Sequence, residues 1–109
     1  MRDYDYEEDL DILYINNNRE REKIEGSLIF GNVVIDVGFD GKVLGAEIDC
    51  ASKFFNLDEN QLKGLMVTKV NIMRLGNITT MGIMIATRAK EYVFQFVVPR
   101  ERNNVPVIY

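Results

Sequence analysis

The chain has 109 residues, of which 47% are hydrophobic and 28% are charged, and its formal net charge is -4. This size and composition predict one globular domain spanning residues 1–109 and exclude an intrinsically disordered chain. The acidic balance argues against a nucleic-acid partner, because binding a phosphate backbone requires clustered lysine and arginine.

The first residues of the chain, MRDYDYEEDLD, are acidic where a signal peptide is basic and then apolar. No apolar run approaches the roughly 18 residues that a membrane-spanning helix needs. We therefore expect a cytoplasmic protein with no membrane partner.

Histidine is absent, and Cys50 is the single cysteine. The commonest metal ligand and the commonest general base are therefore both missing. A thiol nucleophile usually relies on a neighbouring base, so we interpret Cys50 as a small buried residue. The glycines form neither a dinucleotide-binding motif nor a phosphate-binding loop. These absences predict a protein that is not an enzyme, with no catalytic residue and no cofactor-binding residue.

The chain begins with a polar stretch, residues 1–8, which we expect to be a frayed lead-in. Alternating apolar residues then predict a first strand over residues 9–15. Three asparagines and a mixed charge run predict a loop over residues 16–23. A short apolar run over residues 27–30 either extends into the next element or pairs beside it.

The stretch from Asn32 to Ala51 predicts a β-hairpin. Asp40-Gly41 lies between two apolar-alternating runs, which is typical of a two-residue hairpin loop. This loop would place four pairs opposite one another: Phe39 with Lys42, Val37 with Leu44, Ile35 with Ala46, and Val33 with Ile48. The outer face of the hairpin would then carry Asp36, Glu47 and Asp49.

After the hairpin the apolar spacing becomes helical, at Ala51, Phe54, Phe55 and Leu57. This segment is either one helix from about residue 51 or, as we favour, two short turns broken near Asn56. Ser52 is interpreted as a helix cap. Asp58 with Gln61 resembles a capping box, and Gly64 occupies a position where a helix end favours positive φ.

The rest of the chain predicts a three-stranded meander over residues 65–75, 78–88 and 91–98, with turns at Gly76-Asn77 and near Ala89-Lys90. These turns would place four pairs opposite one another: Met81 with Val98, Ile83 with Phe96, Ile85 with Phe94, and Thr87 with Tyr92. Cross-strand pairs of this kind stabilise a sheet by roughly 0.2 to 1 kcal/mol each. We therefore place the core on this face.

The reverse face of the meander is also partly apolar, at Met73, Ile78, Met84, Val93 and Val97. Either the N-terminal sheet covers it, or a second subunit does. We predict an interface of a homodimer formed by Met73, Met84, Val93 and Val97. The apolar C-terminus, Val105-Pro106-Val107-Ile108-Tyr109, is expected to dock as an edge strand or an exchanged arm.

The first half of the chain contains the segments YEEDLDILYI, and VVID followed by DGKVLGAEI and AS. These segments resemble a family of small prokaryotic proteins known as domain of unknown function 2283. The sequence departs from the family at Glu7 and Asp9, where the family often has the opposite acids, and in its long C-terminal meander. The resemblance supports the hairpin and implies no activity.

The sequence as a whole predicts an α+β fold that is mostly antiparallel β, with an N-terminal hairpin sheet, a short central helix and a C-terminal three-stranded meander, packed as a sandwich or barrel. The expected function is a structural or protein-interaction module that is homo-oligomeric. The alternative is a protein that binds calcium or magnesium through Asp36, Glu47 and Asp49, since both ions prefer several converging oxygen ligands. These acids also fit an ordinary solvated sheet face.

Overall fold

The computed structural model describes residues 3–97 and contains two antiparallel sheets and two short helices, which confirms the α+β fold. In chain order, the elements are β1 (Tyr4–Glu7), β2 (Ile12–Asn16), β3 (Gly26–Phe30), β4 (Val33–Val37), β5 (Val43–Asp49), α1 (Ala51–Phe55), α2 (Glu59–Lys63), β6 (Val67–Leu75), β7 (Ile78–Ala86) and β8 (Glu91–Val97). The first sheet has the order β1-β2-β5-β4-β3, and the second has the order β6-β7-β8. Within the described part of the chain, no helix is long and apolar enough to span a membrane.

The N-terminal stretch forms an edge strand, so the prediction of a frayed lead-in over residues 1–8 was wrong for β1. Tyr4 and Tyr6 alternate with acidic residues, which is the period of a half-buried strand. Tyr4 is buried, and its hydroxyl donates a hydrogen bond to the Lys63 carbonyl at 2.8 Å. The predicted strand over 9–15 begins only at Ile12, because residues before it turn and Asp11 adopts a φ of 53°.

The central hairpin is confirmed, with Val33 opposite Ile48 and Ile35 opposite Ala46. Its predicted two-residue loop was wrong. The loop is a single 3-10 turn, Phe39–Gly41, in which Gly41 has a φ of +74°. A tight turn followed by a left-handed glycine is a common three-residue hairpin loop.

This loop changes the pairing at the end of the hairpin. Val37 lies opposite Val43 instead of Leu44, and a bulge follows before Asp36 meets Gly45. The bulge absorbs the extra loop residue and restores the predicted register. It also moves Val43 onto the core side.

The short run over residues 27–30 pairs beside the hairpin, as β3 against β4. The helical segment is broken as expected, because Asn56 ends α1 with a φ of 56°. The predicted capping box of α2 is present, with the Gln61 N–H donating to Asp58 Oδ1 at 2.8 Å. Gly64 follows α2 but has a φ of -103°, so the prediction of a positive φ was wrong.

The three-stranded sheet has the predicted turn at Gly76-Asn77, which joins Leu75 to Ile78. The predicted register of β7 with β8 was wrong by two residues. Met81 lies opposite Phe96, Ile83 opposite Phe94, and Ile85 opposite Tyr92. The connection spans four residues instead of two, with the Thr87 N–H donating to the Lys90 carbonyl at 2.9 Å. A shift of two residues keeps each side chain on its predicted face.

One hydrophobic core contains inward-facing residues of both sheets and both helices. The central strand of the second sheet contributes Met81, Ile83 and Ile85, all fully buried. Phe54 and Phe55 of α1 pack on the same side, with ring centroids 4.9 to 6.2 Å from that of Phe94. The N-terminal sheet thus packs on the predicted core face of the meander. Of the two alternatives for the reverse face, coverage by the N-terminal sheet is therefore excluded, and the predicted C-terminal arm lies outside the described residues.

Candidate functional site

The face of the three-stranded sheet that points away from the core is the candidate site, and we name it the outer face. Its period-two register brings Lys69, Met84 and Val93 into one row, and Asn71, Gly82 and Gln95 into the next. The outer face carries six exposed large apolar residues: Val67, Met73, Leu75, Ile78, Val93 and Val97. Among them Val97 is 69% exposed and Val93 is 61% exposed. Large apolar residues grouped on one sheet face mark an interaction site more often than scattered residues do.

All four residues of the predicted interface lie on the outer face. Met73, Val93 and Val97 are exposed, and Met84 is half-buried on the central strand. Val67 and Leu75, at the two ends of β6, also belong to the outer face but were not predicted from the sequence. Both could have been predicted, because side chains alternate along a strand and Val67 and Leu75 point to the same face as Lys69 and Met73.

Polar side chains cross the middle of the outer face. Asn71 lies beside Gly82, where an added Cβ would come within 2.9 Å of the Asn71 Oδ1. Glycine at position 82 therefore allows the Asn71 amide to lie flat across the sheet. Lys69 on β6 and Glu91 on β8 supply one charge of each sign at opposite edges.

The predicted metal residues lie together on the outward side of the five-stranded sheet. Glu47 lies opposite Tyr14 on β2 and opposite Val34 on β4, and Asp36 lies opposite Gly45. Burial raises the pKa of Glu47, and the neighbouring Asp49 and Asp36 carboxylates raise it further. The pKa of Tyr14 is also raised, by burial and then by Glu47 and the acids of β1.

This acidic surface lacks the arrangement of a closed cation site. The Ser27 hydroxyl donates to Asp36 Oδ1 at 3.1 Å, which directs Asp36 towards β3. Asp49 Oδ1 is buried and accepts no hydrogen bond from the described residues. Over residues 3–97, no three acidic or cysteine side chains converge closely enough to hold a metal ion. Calcium or magnesium binding by Asp36, Glu47 and Asp49 stays an alternative prediction.

Cys50 is exposed, so its interpretation as a buried residue was wrong. It precedes α1 with a φ of 53°, and it makes no side-chain hydrogen bond to the helix. Ser52 is the second residue of α1 and not its cap. Its backbone N–H and its hydroxyl both donate to the Asp11 carboxylate, at 3.1 and 2.6 Å.

The chain is similar in sequence to an archaeal protein. The uncharacterized protein MJ0789 of Methanocaldococcus jannaschii is 31% identical over 102 residues, which cover 88% of this chain and 82% of the relative. The chain belongs to the family of MJ0789. The name of this relative states no activity, so membership of the family indicates neither a reaction nor a ligand for this chain.

No model of a protein family matches the chain, and no solved structure matches it. The resemblance of the first half to domain 2283 therefore stays a prediction. The fold and the surfaces described above are the basis for any functional argument.

Proposed function

We propose that the protein is a non-enzymatic interaction module that assembles with a second copy of itself through the outer face of β6–β8. The observation that carries the proposal is the exposure of six large apolar side chains on this one sheet face. A side chain of this size contributes roughly 1.5 to 3 kcal/mol when it passes from full exposure to full burial. These side chains are 38% to 69% exposed, so each would contribute a corresponding fraction before the cost of association is subtracted.

A second copy suits this surface because the outer face is complementary to itself. In a symmetric dimer the same patch lies on both subunits. A two-fold axis that runs along β7, between two stacked sheets, would place β6 of one copy over β8 of the other. Met84 would then lie beside Met84 of the partner subunit, near the axis.

The same arrangement matches the polar residues of the outer face. Asn71 and Gln95 occupy one row of the sheet, at its two outer strands. Across the two-fold axis Asn71 would lie over Gln95 of the partner subunit, where two amides can exchange hydrogen bonds. Met73 would lie over Val97 of the partner subunit, because these residues also share a row.

The charges are compatible with this pairing. Stacked sheets lie about 10 Å apart, and neighbouring rows on one face are about 7 Å apart along a strand. Lys69 would lie diagonally across from Glu91 of the partner subunit, within reach of the two long side chains. Opposite charges at the rim favour this register over one that brings like charges together.

The experiment is the mass in solution, measured by light scattering on the full chain and on two matched variants. Val93→Lys introduces a charge on β8 of the outer face, over Lys69 of the partner subunit in this arrangement, and is expected to convert a dimer to a monomer. Leu10→Lys is the control, because Leu10 is 64% exposed in the turn between β1 and β2, away from the outer face. It is expected to leave the dimer intact.

Circular dichroism establishes that both variants are folded before their masses are compared. A monomeric wild-type chain would overturn the proposal. A dimer that persists in Val93→Lys would also overturn it, since the contact would then lie elsewhere.

A further inference from the structure

The loop that follows β2 presents two arginines at the mouth of a cavity in this otherwise acidic chain. The cavity has a volume of about 500 Å³ and is lined, among the described residues, by Asp3, Asn16, Arg19 and Arg21. This volume lies within the range of small-molecule sites, roughly 300 to 1,000 Å³. We propose that this cavity binds a small oxyanion ligand, one that carries a phosphate or carboxylate group.

Side-chain amides hold the arginine loop in one conformation. The Glu22 N–H donates to Asn18 Oδ1 at 2.7 Å, and Asn18 Nδ2 donates back to the Glu22 carbonyl at 2.8 Å. The Asn17 amide anchors the start of the loop to the second sheet, through the Val70 carbonyl at 2.9 Å. A fixed loop backbone lowers the entropy that binding would otherwise cost, because only the two arginine side chains remain to be ordered.

Arg21 is the residue on which the proposal depends most. It adopts a φ of 55°, a conformation that residues other than glycine rarely occupy and that occurs often at functional sites. Within residues 3–97 it forms no ion pair. Its guanidinium carries five donors in a planar fork that matches the oxygens of phosphate and carboxylate.

Arg19 contributes a second cation that is already oriented. Its guanidinium donates to Asp3 Oδ1 at 2.6 Å, and this pair is exposed. The Asp3 carboxylate neutralises part of the charge and occupies only part of the fork. With Arg21 the lining thus retains a net positive charge, although the whole chain has a formal charge of -4.

A second cavity of about 280 Å³ adjoins the first and shares Asp3, Asn16 and Arg19 with it. It adds Lys69, the hydroxyl-bearing Thr68 and the apolar Met66. A ligand larger than a bare anion would therefore find a hydroxyl group and an apolar wall beyond the arginines. This surface is too small and too mixed in charge for a nucleic-acid backbone, which needs many phosphate contacts.

The test measures binding of two probes, inorganic pyrophosphate and citrate, to the full-length chain by isothermal titration calorimetry. We expect saturable binding with a Kd of about 1 mM or tighter for at least one probe. Arg21→Gln is expected to weaken that binding by about tenfold, because one charge-assisted hydrogen-bonding group is lost. Arg74→Gln is the control, since Arg74 is exposed near the far end of β6 and does not line either cavity.

Each outcome decides the proposal. Binding of pyrophosphate alone would identify a phosphorylated ligand, and binding of citrate alone would identify a polycarboxylate. The absence of saturable binding of both probes up to about 10 mM, a weak limit even for fragments, would overturn the proposal. Equal weakening by Arg21→Gln and Arg74→Gln would also overturn it, since the effect would then reflect net charge.

Discussion

Asp11 acts as the N-terminal cap of α1 from a different element of the fold. Its carboxylate accepts hydrogen bonds from the Ser52 N–H at 3.1 Å and from the Ser52 hydroxyl at 2.6 Å. The residue that precedes the helix, Cys50, makes no such bond. The Tyr6 hydroxyl also donates to Asp11, at 2.6 Å. One side chain thus links the β1–β2 turn, the strand β1 and the first turn of α1.

Asp11→Asn should lower the free energy of unfolding by about 1 kcal/mol at neutral pH, because a charged cap accepts stronger hydrogen bonds than an amide. Asparagine tolerates the positive φ at this position, so the backbone is not strained further. The measurement is urea unfolding followed by circular dichroism. Asp9→Asn is the control, since Asp9 is exposed in the same turn and should change the stability little.

The pH dependence of this variant has a defined sign. Burial alone would raise the pKa of Asp11, but the hydrogen bonds from Ser52 and Tyr6 outweigh it and hold the pKa below the usual 3.8. The stability that the carboxylate contributes is therefore present above that value and is lost as the pH falls through the lower folded pKa. The difference between Asp11→Asn and the wild type should shrink as the pH falls below 3.8, and a constant difference there would contradict this account.

Glu47→Gln should have the opposite effect on stability. Burial and the nearby Asp49 raise the pKa of Glu47 above its usual 4.5, so the folded chain favours the protonated form. The stability that protonated Glu47 contributes is fully present below pH 4.5, the usual pKa of a glutamate. It is lost as the pH rises through the higher pKa that Glu47 has in the folded chain. Glutamine cannot ionise, and we expect it to increase the free energy of unfolding at neutral pH by about 0.5 kcal/mol.

The measurement for Glu47→Gln is the melting temperature at pH 7 and at pH 4.5. The gain should be larger at pH 7, because lowering the pH towards the usual pKa of 4.5 protonates more of Glu47 and so removes part of the charge that glutamine removes. Glu25→Gln is the control, since Glu25 is exposed and donates only its backbone N–H, to the Val37 carbonyl. A gain of equal size in the control would indicate a general effect of net charge.

The faces of the strands could be predicted from the sequence because side chains alternate with a period of two. Met81, Ile83 and Ile85 were assigned to the core although the register of β8 was wrong by two residues. An error of two leaves the alternation unchanged, whereas an error of one would have exchanged the two faces. For the same reason the predicted interface residues all lie on the outer face.

Loop lengths and contacts between distant segments could not be predicted in this way. The bulge near Leu44 compensates for one extra residue in the hairpin loop. Nothing in the local sequence distinguishes this three-residue loop from a two-residue turn. The link between Asp11 and Ser52 joins residues 41 positions apart. The cavity at Arg21 likewise depends on the packing of the loop after β2, which hydrophobic periodicity does not describe.

Added calcium should leave the melting temperature unchanged relative to a chelator. Calcium takes six to eight oxygen ligands, and the hydrogen bond from Ser27 directs Asp36 towards β3, away from Asp49. The measurement is a thermal melt in the two buffers. A rise with calcium that disappears in Asp49→Asn would instead support the predicted cation site, since Asp49 Oδ1 has no partner among the described residues.

Two glycines should respond to alanine with opposite signs, because their backbones differ. Gly41 has a φ of +74° with no atom within 4 Å of an added Cβ, so Gly41→Ala should destabilise the fold by about 1 kcal/mol through strain alone. Gly64 has a φ of -103° and room for a Cβ, with the nearest atom at 3.5 Å. Gly64→Ala should therefore be neutral or stabilise by up to about 1 kcal/mol, since alanine restricts the unfolded chain. Urea unfolding of the two variants measures both effects, and a loss of stability in Gly64→Ala equal to that in Gly41→Ala would show that the backbone conformation is not the cause.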